Sequence, residues 1–168
     1  MNSAACPFCS VEPERIFHAG TRILGLWDGF PVSDGHALLI PKRHVATWFD
    51  ASIEERSELT EGVSIARDAI GRRYQPDGFN VGINVGEAAG QTVFHLHVHV
   101  IPRYRGDMAN PRGGVRHVIP GKGYYQVPVD GDGIGLVNDA AAAYGTPATA
   151  TAPARLIAGG DVSPLLAP

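Results

Sequence analysis

The chain has 168 residues, of which 44% are hydrophobic and 18% are charged, and its formal net charge at pH 7 is −3. This composition is typical of a globular domain large enough to bury a core, and the slight excess of acidic residues excludes the basic field of a nucleic-acid-binding protein. No apolar stretch approaches the roughly 20 residues of a membrane span, and the first residues lack the pattern of a secretory signal, so we expect a cytoplasmic protein.

Two apolar runs predict the first strands. Residues 22–32 are typical of a strand that runs into a turn, which continues through residues 33–35. The run from His36 to Ile40 is short and stops at Pro41, as an inner strand does.

One amphipathic helix follows, over about residues 52–74. Ser52 and Glu55 have the spacing of a capping box, which marks the helix start. Pro76 and Gly78 mark its end, because proline removes a backbone donor and glycine favours a turn. The apolar positions at helical spacing are Leu59, Val63, Ala66 and Ile70.

Two alternating segments, 79–85 and about 92–101, predict an antiparallel hairpin joined by a short glycine-containing turn. Its apolar face is expected to cover the helix. Its other face carries amides and imidazoles: Asn80 and Asn84 on the first strand, and His95, His97 and His99 on the second.

The remainder is irregular apart from short candidate strands such as 124–129, and after residue 137 the composition turns to Ala, Thr and Pro. We therefore expect one catalytic domain over residues 1–137 and a low-complexity tail over residues 138–168.

The three histidines favour catalysis at phosphorus. On an extended strand, residues two apart lie roughly 6–7 Å apart, so neighbouring imidazoles can share a metal ion, but His95 and His99, about 13 Å apart, cannot both join His97. Imidazoles with an ordinary pKa of about 6.5 can act as nucleophile, acid or hydrogen-bond donor near neutral pH. Attack on phosphorus would give a phosphoramidate that water can later hydrolyse.

The segment QTVFHLHVHVIPR, residues 91–103, resembles the signature of the histidine triad (HIT) family. The segment PVSDGHALLIPKRH, residues 31–44, is similar to a second block of that family, and the likeness extends over roughly residues 6–105. The resemblance implies an α+β fold of the HIT type: an antiparallel sheet of about five strands, one long helix packed on it, and an extended C-terminal segment.

The resemblance also implies roles for individual residues. His97 matches the nucleophile, His99 a proton donor beside the α-phosphate and the leaving group, and His36 a histidine that supports the imidazole network, which includes His95. The positions implied to bind substrate are Asp28 at the ribose hydroxyls, Asn84 and Gln91 at the α-phosphate and leaving group, and the backbone N–H near Val93 at the phosphate. From sequence alone, Asp28 is equally well explained as a turn-forming residue before Gly29.

The implied activity is that of a nucleotide hydrolase or nucleotidyltransferase. The substrate would be a purine nucleotide conjugate, either a dinucleoside polyphosphate or a nucleoside phosphoramidate, cleaved through a nucleotidyl-histidine intermediate to release a nucleoside monophosphate. Two alternatives remain: transfer of the nucleotidyl group to phosphate or another acceptor, and a zinc-stabilised binding module without turnover. A homodimer is implied, with neither nucleic acid nor membrane as partner.

Cys6 and Cys9 form a CxxC pair, a spacing that in the cytosol suggests a metal site before a disulfide. A redox dithiol or two buried thiols are the alternatives. The zinc-bearing bacterial branch of the HIT family adds two ligands at positions that match His44 and His95, which implies a structural zinc ion and no catalytic cofactor.

Overall fold

The computed structural model describes residues 6–128 and 134–137. The chain divides into two compact units, one ending at Val115 and the other starting at Arg116. In the second unit, two strands, 125–128 and 134–137, pair antiparallel, and the first of them confirms the strand predicted near 124–129. The predicted tail lies outside the described residues, so the boundary at residue 137 stays a prediction.

The first unit is a five-stranded sheet with one long helix, which confirms the predicted α+β architecture. Its elements in chain order are β1 (Ile16–Ala19), β2 (Ile23–Trp27), β3 (Ala37–Pro41), α1 (Ile53–Tyr74), β4 (Gly78–Gly82) and β5 (Val98–Arg103). The spatial order is β1-β2-β3-β5-β4, and each neighbouring pair is antiparallel. Strand β3 is therefore central, and β4 is an edge strand.

Helix α1 begins where the sequence predicts. The Ser52 hydroxyl accepts the Glu55 N–H, and the Glu55 carboxylate accepts the Ser52 N–H, so the capping box is present. The helix ends at Gln75, whose φ of 51° is left-handed, rather than through the proline and glycine that follow. Within the described residues, no helix is both long enough and apolar enough to cross a membrane.

Strand β3 is buried along its whole length because both faces of the sheet are covered. On one face, Leu39 joins a cluster with Leu59 and Ile70 of α1. On the other face, Phe8 and Val11 of the N-terminal segment pack on a smaller cluster: Leu26, Leu38 and Ile40. The residues that flank β3 are consequently held in a rigid part of the molecule.

The predicted hairpin exists, but its arms are shorter than the alternation suggested. Strand β4 ends at Gly82, which pairs with His99, and β5 starts only at Val98. Residues 83–97 form a connecting loop, called here the histidine loop, and not a short turn. The Leu96 N–H donates to the carbonyl of Val45 at 2.7 Å, so this part of the loop bonds to the segment after β3 instead of continuing a strand.

Strand β1 was not predicted, because its four residues are too few to show a pattern. The apolar face predicted for residues 79–85 includes Val81, but this side chain is 41% exposed because β4 lies at the sheet edge.

Candidate active site

The histidine loop is fixed from inside by Gln91, which is buried. Its side-chain oxygen accepts the Gly86 N–H at 2.8 Å, and its amide nitrogen donates to the carbonyls of Ala46 at 2.7 Å and Val93 at 3.2 Å. One side chain thus ties both ends of the loop to the segment after β3. This order is needed because His95 and His97 lie in the loop and only His99 belongs to β5.

The proton on His97 is placed by a backbone carbonyl. Its Nδ1 lies 2.7 Å from the carbonyl oxygen of His95. A carbonyl can only accept a hydrogen bond, so Nδ1 carries the proton and the neutral ring has its lone pair on Nε2. The ring is held between Phe8, at 5.3 Å between centroids, and His99, at 5.1 Å. His97 is therefore an oriented imidazole with a nucleophilic Nε2.

His99 belongs to a second arrangement, a chain of hydrogen bonds that starts at Asp28. The carboxylate Oδ2 of Asp28 lies 3.1 Å from Nδ1 of His36, and Nε2 of His36 lies 3.1 Å from Nδ1 of His99. The rings of His36 and His99 are stacked, with their planes 29° apart. We call these three residues the Asp28 chain.

Burial keeps both histidines of the Asp28 chain neutral. It lowers the pKa of His36, against the attraction of the Asp28 carboxylate. It also lowers the pKa of His99 to about 4, an effect to which His97 and His36 add and which the Asp28 charge opposes. At neutral pH and without substrate, the Asp28 chain therefore contains two uncharged imidazole rings.

A third group of side chains converges near the N-terminal segment. The Sγ atoms of Cys6 and Cys9 lie 3.5 and 3.6 Å from Nδ1 of His95, and Cys9 Sγ lies 3.2 Å from Nδ1 of His44. One ligand atom from each residue lies within 4.8 Å of all the others. Tetrahedral Zn²⁺, with bonds of about 2.3 Å to sulfur and about 2.0 Å to nitrogen, requires ligand atoms about 3.3–3.8 Å apart, so these four residues, the Cys/His cluster, have the dimensions of a zinc site.

The protonation of His95 also fits a metal ligand. Its Nε2 lies 2.8 Å from the carbonyl oxygen of Pro41, so this nitrogen donates and Nδ1 presents a lone pair to the two cysteines. Burial, with His44 and His97 nearby, lowers the pKa of His95 despite the bond to Pro41. Burial and the neighbouring Cys6 raise the pKa of the Cys9 thiol. A cation among these atoms would favour the thiolate form that metal binding requires.

Two of the four residues predicted to bind substrate, Asp28 and Gln91, have defined hydrogen bonds. Asp28 accepts the Phe30 N–H at 3.0 Å, so it forms the turn and also bonds to His36. Gln91 has its amide engaged with the loop backbone. Among the described residues, the half-buried side chain of Asn84 and the N–H of Val93 have no hydrogen-bond partner. Contact of these four residues with a nucleotide stays a prediction.

Sequence reasoning missed the contribution of Phe8. Its ring packs edge-on against His95 at 5.9 Å and touches His97, so one aromatic side chain contacts both the Cys/His cluster and the ring beside it. The sequence could have predicted this contact. Phe8 lies between Cys6 and Cys9, and a residue between two candidate metal ligands must lie close to the other members of the cluster.

A model of the HIT domain family matches residues 10–106 of the chain. An adenylylsulfatase from Arabidopsis thaliana is 34% identical over 106 residues, which cover 61% of this chain and 54% of that protein. An AP-4-A phosphorylase from Mycobacterium tuberculosis is 35% identical over 102 residues, which cover 60% of this chain and 52% of the phosphorylase.

Among solved structures, a Zn-bound histidine triad family protein from Mycobacterium smegmatis is similar to this chain, with a TM-score of 0.58 and 35% identity. The similarity covers 63% of this chain and 80% of that one.

Proposed function

The chain belongs to the HIT domain family, and from this premise we propose that it is a nucleotide hydrolase or nucleotidyltransferase in which His97 attacks the α-phosphorus of a purine nucleotide conjugate. The observation that carries the proposal is the hydrogen bond from His97 to the carbonyl of His95, which leaves Nε2 free for attack. The names of the adenylylsulfatase and the AP-4-A phosphorylase support chemistry of this general kind.

In the first step, Nε2 of His97 forms a bond to the α-phosphorus, and the bond from phosphorus to the leaving-group oxygen or nitrogen breaks. His99, protonated when the anionic substrate enters, gives its Nε2 proton to the leaving group. His97 keeps its Nδ1 proton, so the intermediate is a nucleotidyl-imidazolium whose N–H still faces the His95 carbonyl. In this proposal, backbone N–H groups of the histidine loop, including that of Val93, and the Asn84 amide bind the phosphate oxygens.

In the second step, a water molecule forms the new bond to phosphorus and the bond to Nε2 of His97 breaks, which releases the nucleoside monophosphate. Nε2 of His99, neutral after the first step, accepts the proton of the attacking water. His99 ends the cycle with the proton it gave away, and His97 returns to its starting tautomer. The covalent route divides one difficult displacement into two easier ones.

A second candidate differs only in the acceptor. If inorganic phosphate replaces water in the second step, the product is a nucleoside diphosphate instead of a monophosphate. The likeness to an AP-4-A phosphorylase favours testing this reaction. The remaining alternative is a zinc-stabilised nucleotide-binding module, which predicts binding without product.

We also propose that Cys6, Cys9, His44 and His95 hold a structural Zn²⁺ and that the chain belongs to the zinc-bearing bacterial branch of the family. The fit of the four ligand atoms and the likeness to a zinc-bound HIT structure support this assignment. The ion would supply a tetrahedral cross-link without an open position for substrate. The ligands come from the N-terminal segment, the end of β3 and the histidine loop, so the cross-link would fasten three separate parts of the chain.

A homodimer is the proposed assembly, and the free edge of the sheet supports it. Among the described residues, no strand pairs with the outer side of β4, and Val81 of this strand is exposed. Light scattering after size exclusion tests the proposal, and a monomer for both the wild type and Val81→Lys would contradict it. The cytoplasmic location and the absence of a nucleic-acid partner remain expectations.

The test of the proposed function is to trap the intermediate and identify the products. The protein is mixed with adenosine 5′-phosphoramidate, quenched in base because phosphoramidates are acid-labile, and digested for mass spectrometry. We expect adenylyl on the His97 peptide, AMP as product in buffer, and ADP in addition if phosphate serves as acceptor. AMP release that is unchanged in His97→Ala, with no adenylylated peptide in the wild type, would contradict the proposal.

A further inference from the structure

The Asp28 chain has a direction that follows from its carboxylate end. An ionised carboxylate only accepts hydrogen bonds, so Nδ1 of His36 carries a proton that points at Asp28. Nε2 of the neutral His36 is then an acceptor, and the proton between the two rings must lie on Nδ1 of His99. Each donor points back toward Asp28, and Nε2 of His99 is left as the open acceptor at the far end.

Asp28 is built into the protein as a partner of His36. Its side chain is 13% exposed and that of His36 is 2% exposed, so their contact is shielded from water. The other carboxylate oxygen accepts the Phe30 N–H, which fixes the carboxylate plane. A carboxylate has about four lone-pair sites, so these two bonds leave room for ligand hydroxyls as well.

We propose that Asp28 is a positioning residue for His99: acting through His36, its carboxylate fixes the tautomer of both rings, keeps Nε2 of His99 available to the reaction, and stabilises the cation that forms when His99 holds a proton. This role rests on the proposed function and adds to the ribose contact already assigned to Asp28. The charged and titratable groups that face His99 are His97, His36 and Asp28, and of these only Asp28 favours protonation of His99.

Asp28→Asn is the informative substitution because it reverses the direction of the hydrogen bonds in the Asp28 chain. The amide oxygen of asparagine can accept the Phe30 N–H, but its NH₂ group then faces Nδ1 of His36 and donates to it. The Val32 N–H also points at this nitrogen, from 3.4 Å. In the wild type the closer Asp28 carboxylate, at 3.1 Å, keeps the proton on Nδ1, and in Asp28→Asn that opposition to the Val32 N–H is lost. His36 would donate from Nε2, and His99 would accept at Nδ1 and carry its proton on Nε2, the wrong form for accepting a proton from water.

A substrate pair separates this role from a contact with the sugar. Adenosine 5′-phosphoramidate and its 2′,3′-dideoxy counterpart are assayed with the wild type and with Asp28→Asn. A positioning role predicts that kcat falls by the same factor, on the order of 10²-fold, for both substrates. A contact with the sugar alone predicts no effect of the substitution on the dideoxy substrate, and that result would overturn the proposal.

A spectroscopic measurement makes the test independent of turnover. In protein labelled with ¹⁵N-histidine, nitrogen chemical shifts report which ring nitrogen carries the proton. We expect His99 protonated on Nδ1 in the wild type and on Nε2 in Asp28→Asn. Asp34→Asn removes a carboxylate from the same loop outside the chain, and it should leave both the spectrum and kcat unchanged.

The kinetic measurement and the ¹⁵N spectrum distinguish failure of the proposed function from failure of the positioning role. A wild type that turns over no nucleotide removes the proposed function, yet a reversed tautomer in Asp28→Asn would still establish Asp28 as the residue that orients His99. A spectrum in which Asp28→Asn leaves the His99 tautomer unchanged overturns the proposal, whatever the activity.

Discussion

The Cys/His cluster and the Asp28 chain are built from similar ring nitrogens and work in opposite ways. In the cluster, the ligand atoms of four residues converge on one point, and the proton of His95 is directed away to a carbonyl. In the Asp28 chain, each ring donates with one nitrogen and accepts with the other, so a proton lies between each pair of neighbouring residues. The cluster offers four ligand atoms to a cation. The three residues of the Asp28 chain also bring one ligand atom each within 4.8 Å of one another, but they are joined by hydrogen bonds that suit proton transfer.

The difference shows that the second partner of each imidazole decides its chemistry. Carbonyl oxygens orient His95 and His97, and a carboxylate orients His36, so in each case an obligate acceptor on one side determines which nitrogen is free on the other. Under the proposed function, histidines that are equivalent in the sequence pattern would acquire a ligand role, a nucleophile role and a proton-transfer role in this way. The predictions below test whether the two arrangements are functionally separate.

The largest expected effect is that of His97→Ala. We expect kcat for nucleotide cleavage to fall by about 10⁴-fold or more, since the group that bonds to phosphorus is lost. Metal content and thermal unfolding should stay close to those of the wild type, because the four cluster residues are untouched. His18→Ala, on β1, is the matched control for loss of an imidazole. Loss of metal in His97→Ala would show that the two arrangements are not separate.

The converse change is Cys9→Ser. If the cluster holds zinc, the variant should lose the metal and about 4 kcal/mol of unfolding free energy, equivalent to a ligand at roughly 1,000 times its Kd. The unfolding midpoint should fall by roughly 10 °C, while kcat of the folded fraction stays within about 10-fold. Elemental analysis measures the metal content and calorimetry measures the unfolding midpoint, with Ser10→Ala as control. An unchanged melting temperature in chelator would contradict the structural role.

The pH dependence of stability tests the Asp28 chain alone. The pKa of His99 lies at about 4 in the folded protein against an ordinary value of 6.5, so the unfolded chain binds the proton more tightly. The resulting stability is present above about pH 6.5 and is lost as the pH falls toward 4, with a total on the order of 3 kcal/mol. Urea unfolding of the wild type and His99→Gln across this range isolates the effect. If the difference in unfolding free energy between the wild type and His99→Gln does not vary with pH, this would contradict the lowered pKa of His99.

The smallest expected effect links the two arrangements. Phe8→Leu keeps an apolar residue between the cysteines but removes the flat ring that touches His97. We expect kcat to fall by about 10-fold, the size of a modest loss of orientation, with the metal content unchanged. Val11→Ala, in the same segment and against the same apolar cluster, is the control. Equal rates for Phe8→Leu and wild type would mean that the contact with His97 carries no function.

Local patterns predicted the parts of the fold that depend on local physics. The Ser52–Glu55 capping box and the 3.6-residue spacing placed α1, and the apolar run before Pro41 placed β3. The alternation around His97 could not separate a strand from an extended loop, because both turn successive side chains to opposite sides. What ends the strand is the bond from Leu96 to Val45, a contact between residues that are distant in the sequence.

The identities of the site residues came from the sequence, but their proton arrangement did not. Residue type and resemblance indicated that His36, His97 and His99 act together. Which ring nitrogen is free depends on carbonyls of His95 and Pro41 and on the approach of Asp28 across a turn. A backbone carbonyl is present at every position of every chain, so no sequence pattern marks the few that orient an imidazole.

The bond between His97 and the carbonyl of His95 has a consequence for how such proteins can change. The peptide oxygen at position 95 is present whichever amino acid stands there, whereas the ring at that position belongs to the Cys/His cluster. Under the proposed function, a single substitution would therefore remove a zinc ligand and retain the carbonyl that orients His97. The proposed ion would then be lost in one mutational step while the proposed reactivity is kept, which makes position 95 a natural starting point for engineering a variant that folds without metal.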